Sequence, residues 1–405
     1  MMFLCSPAIR SPFRSRIRWC EIALVAFTSV YAVPASAETI FRLDPFVQIS
    51  EMFDSNIGLS AKNPQKDLVT NALLGFNLEF GNNQQIGELQ YMSALQKFAE
   101  HPERDDFGST QYARLSDRIR VTPSTTLSVS DYFLRAGASS GLLTGLNPTL
   151  SPQFAVAILS NEQSVSNYGE FSLTHQSSER WSTSLRVNQS YFESGSSGST
   201  FIQGFSVSED YGSSQDAHVG LTYELEDVRA SRFPRSEAHF PRVYLNWTVT
   251  PRLKFTGEAG PIVFQNNHSV SLEPGFRLTG EYSTRRLKVE VRGGQSPTIT
   301  ASFAGAGLIR QGEGSVTYAL SRRTSLLAGV GFYQFSGNNE NAQVLSYGIG
   351  ASYKLTRWAT VFVEGWRVQQ SGGAGFGSTP NPATSNSNVV TVGISVSFEA
   401  IRGAL

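Results

Sequence analysis

The chain has 405 residues, sets 33 lysines and arginines against 33 aspartates and glutamates, and is 16% charged. A formal charge of zero excludes the positive excess that nucleic-acid phosphates demand. The two cysteines, Cys5 and Cys20, lie at the extreme N-terminus, which excludes a disulfide framework, thiol catalysis and thiolate metal sites in the rest of the chain.

Residues 1–37 have the layout of a secretory signal peptide: Arg10, Arg14, Arg16 and Arg18, then the apolar run Ile22 to Val33, then Ala35-Ser36-Ala37. The apolar run is well short of the ~20 residues of a membrane-spanning helix. Cleavage near Ala37 would remove four arginines and one glutamate, leaving 29 basic and 32 acidic residues, a net charge near −3. Residues 38–405 show neither a linker nor a shift of composition, so one large all-β domain is expected.

Within that domain strands alternate cleanly. Around "RVYLNWTV", Val243, Leu245, Trp247 and Val249 oppose Arg242, Tyr244, Asn246 and Thr248. In "FRLTGEY", Phe276, Leu278 and Tyr282 oppose Arg277, Thr279 and Glu281; in "RLKVEV", Leu287, Val289 and Val291 oppose Arg286, Lys288 and Glu290. "NVVTVGISVSF" near the C-terminus sets Val390, Val392, Ile394, Val396 and Phe398 on one face. Period two means one apolar and one polar face.

A soluble β-sandwich would show the same alternation, but three features point to a transmembrane barrel. The strands run about ten to twelve residues, the length of a tilted bilayer crossing. Their connections alternate between tight turns ("GNNQQ", "TPS", "SSER", "TPR", "STRR", "LSRR", "LTR") and long loops at 137–162, 193–212, 263–271, 296–306, 336–342 and 370–387. Aromatics such as Trp181, Tyr191, Phe255, Tyr318, Trp358 and Phe398 fall towards strand ends, as in an interfacial girdle. A membrane-crossing sheet must close, because an open edge in lipid leaves backbone groups unsatisfied. The expected fold is therefore an antiparallel β-barrel of 16–18 strands, 18 preferred, with short periplasmic turns and long extracellular loops. The eighth strand is expected at 213–225 and a weak ninth at 227–233, "VRASRFP". The lipid-facing stripe reads as uniformly apolar, which favours a monomer.

Two motifs resemble the outer-membrane family known as β-barrel porin type 2, associated with exopolysaccharide gene clusters. One is "PFVQISEMFDSNIGLS" at 45–60; the other is the repeated Y-x-L-[ST]-R turn at Tyr318–Arg322 and Tyr353–Arg357. The resemblance implies a passage for secreted exopolysaccharide across the outer membrane, with a periplasmic polysaccharide co-polymerase or export protein as partner.

Candidate sites are sparse. Glu51, Asp54 and Asn56 offer oxygens to a cation, although a polar turn explains them as well. The histidines (His101, His175, His218, His239, His268) lack metal-ligand spacing, and "GGAGFG" at 372–377 is not followed by a helix as a phosphate cradle would be. No catalytic, cofactor or metal site is expected, and the protein is read as a non-enzyme. Parity instead turns Arg114, Arg118, Arg120, Arg186, Arg242, Lys254, Glu258, Arg277, Glu281, Lys288, Glu290 and Arg292 into the lumen, where rings of charge set what passes. The stripe Arg114, Arg118 and Arg120 has the fewest acids in register and is the expected contact for an anionic polymer. The loop 137–162, apolar from Phe154 to Leu159, is a candidate plug. The leading expectation is an exopolysaccharide passage; the alternatives are a general diffusion porin for small solutes and a closed structural or adhesive barrel.

Overall fold

The computed structural model describes residues 40–57, 60, 62–136, 164–194, 198–212, 216–231, 233–266, 269–300, 305–337, 340–371, 384–398 and 401–404. The expected signal peptide and plug loop and the "GGAGFG" segment lie outside these residues.

Eighteen antiparallel strands follow one another round a single sheet: β1 (Ile40–Asp54), β2 (Asp67–Gly81), β3 (Gln85–Phe98), β4 (Asp106–Thr122), β5 (Thr125–Ala136), β6 (Ser164–Gln176), β7 (Trp181–Ser194), β8 (Gly198–Gly212), β9 (Ala217–Ala230), β10 (Phe233–Thr250), β11 (Leu253–Asn266), β12 (Ser269–Ser283), β13 (Leu287–Thr300), β14 (Gly305–Ala319), β15 (Thr324–Gly337), β16 (Glu340–Lys354), β17 (Ala359–Ser371) and β18 (Ser385–Ser397). Each pairs with the next, and β18 returns to β1 over Phe46↔Ser397 to Asp54↔Val389. A short β19 (Ile401–Ala404) prolongs that seam against Ile40–Leu43. The sheet is closed.

The tight turns share one device. A hydroxyl or amide oxygen at the turn's start accepts the backbone amides two and three residues on: Asn82 from Gln84 and Gln85, Ser178 from Arg180 and Trp181, Thr250 from Arg252 and Leu253, Thr284 from Arg286 and Leu287, Ser321 from Arg323 and Thr324, Thr356 from Trp358 and Ala359. Side chains that mimic a backbone turn in this way reverse the chain within a few residues. Eighteen crossings need that reversal repeatedly, so the motif recurs.

The strand count agrees with the sequence expectation, but the assignment between 193 and 250 does not. The eighth strand is β8, inside the region expected as the loop 193–212, and 213–225 with the start of 227–233 is a turn and β9. Serine and glycine at the β8 ends read as loop, while Phe201, Phe205, Val207 and Tyr211 keep the alternation. The loops expected at 263–271, 296–306 and 336–342 are likewise short, because the flanking strands run on to Asn266 and Ser269, Thr300 and Gly305, Gly337 and Glu340.

Apolar side chains such as Leu221, Val243, Leu245, Leu278, Val330, Ile349 and Val392 stand exposed on the outside of this sheet. Trp181, Trp247, Tyr282, Tyr318, Tyr353 and Trp358 are exposed at the turn-side ends, forming a girdle. The outer face is not uniformly apolar, however. Register places Asp131 beside Gly169 on that face, hydrogen-bonded by the Asn167 amide (2.7 Å), and Asp117 there is bonded by Gln85 (2.8 Å). Inside, Met52, Val69, Phe98 and Val389 form a buried cluster against which Trp366 packs. The Trp366 indole lies over Gly348, where a Cβ would fall 2.4 Å from its ring.

Candidate functional site

Directly opposed residues in a ladder share a face, so register fixes where the expected lumen charges stand. Arg114 lies between Gln90 and Tyr132, Arg118 between Ile86 and Ser128, and Arg120 beside Thr126. Arg186 lies between Ser172 and Ser206, Arg242 beside Thr222, and Lys254 between Thr248 and Glu281. Glu258 lies between Tyr244 and Arg277, Glu281 beside Glu290, Lys288 beside Thr317, and Arg292 between Thr279 and Glu313. Followed strand by strand, these registers put all twelve on the face opposite the exposed apolar belt.

From β6 to β14 this inner wall is a lattice of opposite charges. Arg186 pairs with Glu170 (3.4 Å). Arg242 pairs with Glu224 and, through Nε, with Glu258 (2.9 Å); Arg277 reaches the same Glu258 (3.0 Å). Lys288 pairs with Glu290 (3.1 Å), and Arg292 stands 4.0 Å from it. Both Arg242 and Arg277 lie over the Phe240 ring, 4.8 and 5.7 Å from its centre. The Tyr333 hydroxyl donates to Glu313 (2.7 Å). Within this lattice each cation faces a carboxylate, so its field is spent locally.

The β4 wall differs. Arg118 and Arg120 are exposed, and no carboxylate lies within ion-pairing distance of Arg114, Arg118 or Arg120 among the described residues. Their neighbours across the ladder on β5 are Tyr132, Ser130, Ser128 and Thr126, which cannot neutralise them. Arg114 lies over the Tyr132 ring, 5.2 Å from its centre, and its buried Nε has no hydrogen-bond acceptor. Glu88, diagonal to Arg118 on β3, forms no ion pair with it.

The remaining candidates do not converge. Asp54 accepts the Ser387 hydroxyl and the Asn56 amide (2.7 Å), while Asn56 ties Ser60 to Asn386. Glu51, on the other face, accepts the Thr70 hydroxyl (3.0 Å). Asp54 and Asn56 knit the rim of the β1–β18 seam while Glu51 bonds across to β2 on the other face, so the three do not converge on one point. His101 bonds Asp67 (2.8 Å), His175 Thr125, His218 Asp210 and His239 Tyr223. No metal-ligating group of three exists among the described residues. Sequence reasoning missed Glu170, Glu224 and Glu313 as the lattice's acidic half. Parity could have found Glu224, which shares the polar face of "HVGLTYEL" with His218, Gly220 and Thr222.

A closed eighteen-stranded sheet with an apolar belt, a turn-side aromatic girdle and a charged interior is the architecture of an outer-membrane β-barrel. No family model and no curated protein matches the chain, so the β-barrel porin type 2 resemblance gains no support there. Solved structures of similar shape include OpdQ of Pseudomonas aeruginosa (8% identity, covering 90% of this chain and 98% of that one, TM-score 0.45) and OccK2 (OpdF) of the same organism in complex with glucuronate (7%, 88% and 98%, TM-score 0.46). An anion-selective porin from Comamonas acidovorans is another (9% identity, 89% and 100%, TM-score 0.43).

Proposed function

We propose that this chain is a diffusion pore for small polar solutes that favours anions, and that Arg114, Arg118 and Arg120 set the preference. One observation supports the reading above the rest: among the described residues Arg114, Arg118 and Arg120 form no ion pair, while Arg186, Arg242, Arg277 and Lys288 each hold a carboxylate. A unit charge about 6 Å from a passing ion is worth ~0.7 kcal/mol in a water-like dielectric, roughly a threefold bias per arginine before salt screening. Export of exopolysaccharide, the sequence expectation, rests on the two short motifs at 45–60 and 318–357 alone, and no family model matches the chain.

Reversal potentials across planar bilayers in a potassium chloride gradient test the reading. The native protein should favour chloride, and substitution of Arg114, Arg118 and Arg120 by Ala should cut the chloride-to-potassium permeability ratio by about tenfold, three such biases less screening. A ratio unchanged by the triple substitution would refute the assignment. A protein that inserts but passes no current would favour the closed structural barrel instead.

A further inference from the structure

Four prolines stand in one row across adjacent strands: Pro241 on β10, Pro261 on β11, Pro274 on β12 and Pro297 on β13. Pro261 and Pro274 are direct register partners. The β10–β11 register sets Pro241 opposite Pro261, and the β12–β13 register, extended beyond its last pair Phe276↔Gln295, would set Pro274 opposite Pro297.

What matters is where the amides would point. In an antiparallel ladder successive residues turn their backbone groups to alternate neighbours. On β12 the Pro274 carbonyl faces β13, since it accepts the Gln295 side-chain amide (2.7 Å), whereas the Ser283 amide faces β11 and donates to Arg252 (2.8 Å). The Pro274/Pro297 rung is therefore one at which each residue should donate a backbone hydrogen bond to the other. Proline has no N–H, so neither bond can form. The same argument applies to Pro241/Pro261, where pairing lapses between His239↔Val263 and Val243↔Ala259 and then resumes. Between β12 and β13 it does not resume.

Beyond this point the wall forks. β12 stays with β11 up to Asn266↔Ser269, while β13 and β14 stay with each other from Ser296↔Ile309 to Thr300↔Gly305. The β13–β14 lip turns inward: β14 comes close to β9 and β10, although β11, β12 and β13 separate them along the sheet. Leu308 packs on Phe240 and Ile262, with Phe264 alongside. Gln295, itself held by Arg310 (2.7 Å), caps the first backbone carbonyl left open at the fork.

The fork lies at membrane level. Pro274 stands eight residues along β12 from the girdle residue Tyr282, and a tilted strand needs ~9–11 residues to cross the apolar layer. The rim is apolar, with Val270 and Leu272 each 69% exposed on the outer side. The back is the Phe240, Ile262, Phe264 and Leu308 cluster. The floor is ionic, formed by Arg242 and Arg277 with Glu258. Above the fork the β12 backbone at Val270 and Leu272 has no ladder partner on the β13 side, a costly state in hydrocarbon unless a polar group meets it.

We propose that the fork between β12 and β13 is a lateral portal that admits a lipid acyl chain from the surrounding leaflet. The chain lies along the exposed Val270 and Leu272 and reaches Phe264, behind which Phe240, Ile262 and Leu308 form a closed apolar back, and the polar head group meets the free edge of β12. The ionic floor stops the chain from descending further. The barrel thus has a sideways opening in addition to its axial lumen, and this does not depend on which ions the lumen favours.

The test uses the full chain with Cys5→Ser and Cys20→Ser, reconstituted in vesicles of dibrominated phosphatidylcholine. A bimane reporter is attached at Phe264→Cys, behind the fork, or at Thr256→Cys, on the same strand and face but below the ionic floor. Bromine quenches only on contact, so quenching should be several times stronger at 264 than at 256. Equal quenching at the two positions, or none at 264, would overturn the proposal. A second measurement reads the fork itself through Ser271→Cys with Thr300→Cys, which the extended register would bring face to face. Oxidative cross-linking should be slow with the native prolines and fast once Pro274→Val and Pro297→Val restore the missing amides, and closure should abolish quenching at 264. Fast cross-linking with the prolines in place would mean a closed wall and no portal.

Discussion

The β4 wall and the wall from β9 to β13 are both rich in arginine, yet the arginines do opposite work. On β10 and β12, Arg242 and Arg277 share Glu258 and lie over one phenyl ring, with the Arg242 side chain only 9% exposed. On β4, Arg118 and Arg120 face open space across from serine and threonine. A charge with its partner at 3 Å presents little field beyond the ~8 Å screening length of physiological salt, whereas an unpartnered one near a narrow path is felt by every ion that passes. Number and sign of charges therefore say little about selectivity until their partners are known. On the proposed function, the paired wall contributes rigidity and the unpaired wall contributes selectivity.

Breaking the paired wall should give the largest effect. Arg242→Met leaves Glu224 and Glu258 with one arginine between them in a site where both carboxylates are mostly buried. Removing one partner of a buried pair costs about 3–5 kcal/mol. The urea midpoint of the folded barrel in detergent should fall sharply, and adding Glu224→Gln should recover part of the loss, because the interaction is mutual. An unchanged midpoint would mean that the lattice is ornamental. The open wall predicts the reverse pattern. Arg118→Glu should leave the urea midpoint within about 0.5 kcal/mol of native, as surface substitutions do, while shifting the permeability ratio towards potassium by more than Arg118→Ala does. That shift should fade at 1 M salt, where the screening length is about 3 Å; a shift indifferent to salt would argue for a steric cause.

How much of this was legible in the sequence follows from what period two can and cannot say. Parity along a strand is local, so the faces of Arg242, Arg277, Glu281 and Lys288 could be read from their neighbours alone. Partners are not local: that Arg242 would find Glu224 while Arg118 would find only Ser128 depends on register, and register depends on every turn. The stretch misplaced, 193–233, is where serine and glycine blur the strand ends, and it hid β8. The outer face was legible in part. Parity alone sets Asp117 on the face opposite Arg114, Arg118 and Arg120 and sets Asp131 with Leu127, Val129 and Phe133, but only the structure supplies the amide partner that each finds there. The proline row was visible as four residues but meaningless until β10 to β13 were aligned, since only alignment tells which missing amides fall on hydrogen-bonded rungs.

The smallest expected effect concerns the turns that frame both walls. Thr356 accepts two backbone amides, from Trp358 (3.2 Å) and Ala359 (3.0 Å), as Ser321 does from Arg323 and Thr324. Thr356→Ala removes both bonds but leaves the amides exposed at the turn, where water can replace the hydroxyl. The net loss should be about 0.5–1.5 kcal/mol, read as a small drop in the urea midpoint. Thr356→Ser should restore it, because the oxygen and not the methyl group does the bonding. Neither variant should move the permeability ratio, since the turn lies beyond the ends of β16 and β17 and contributes no charge to the lumen. If Thr356→Ala altered selectivity, the turn would be setting register along β16 and β17, and the two walls could no longer be treated as independent of the turns that join their strands.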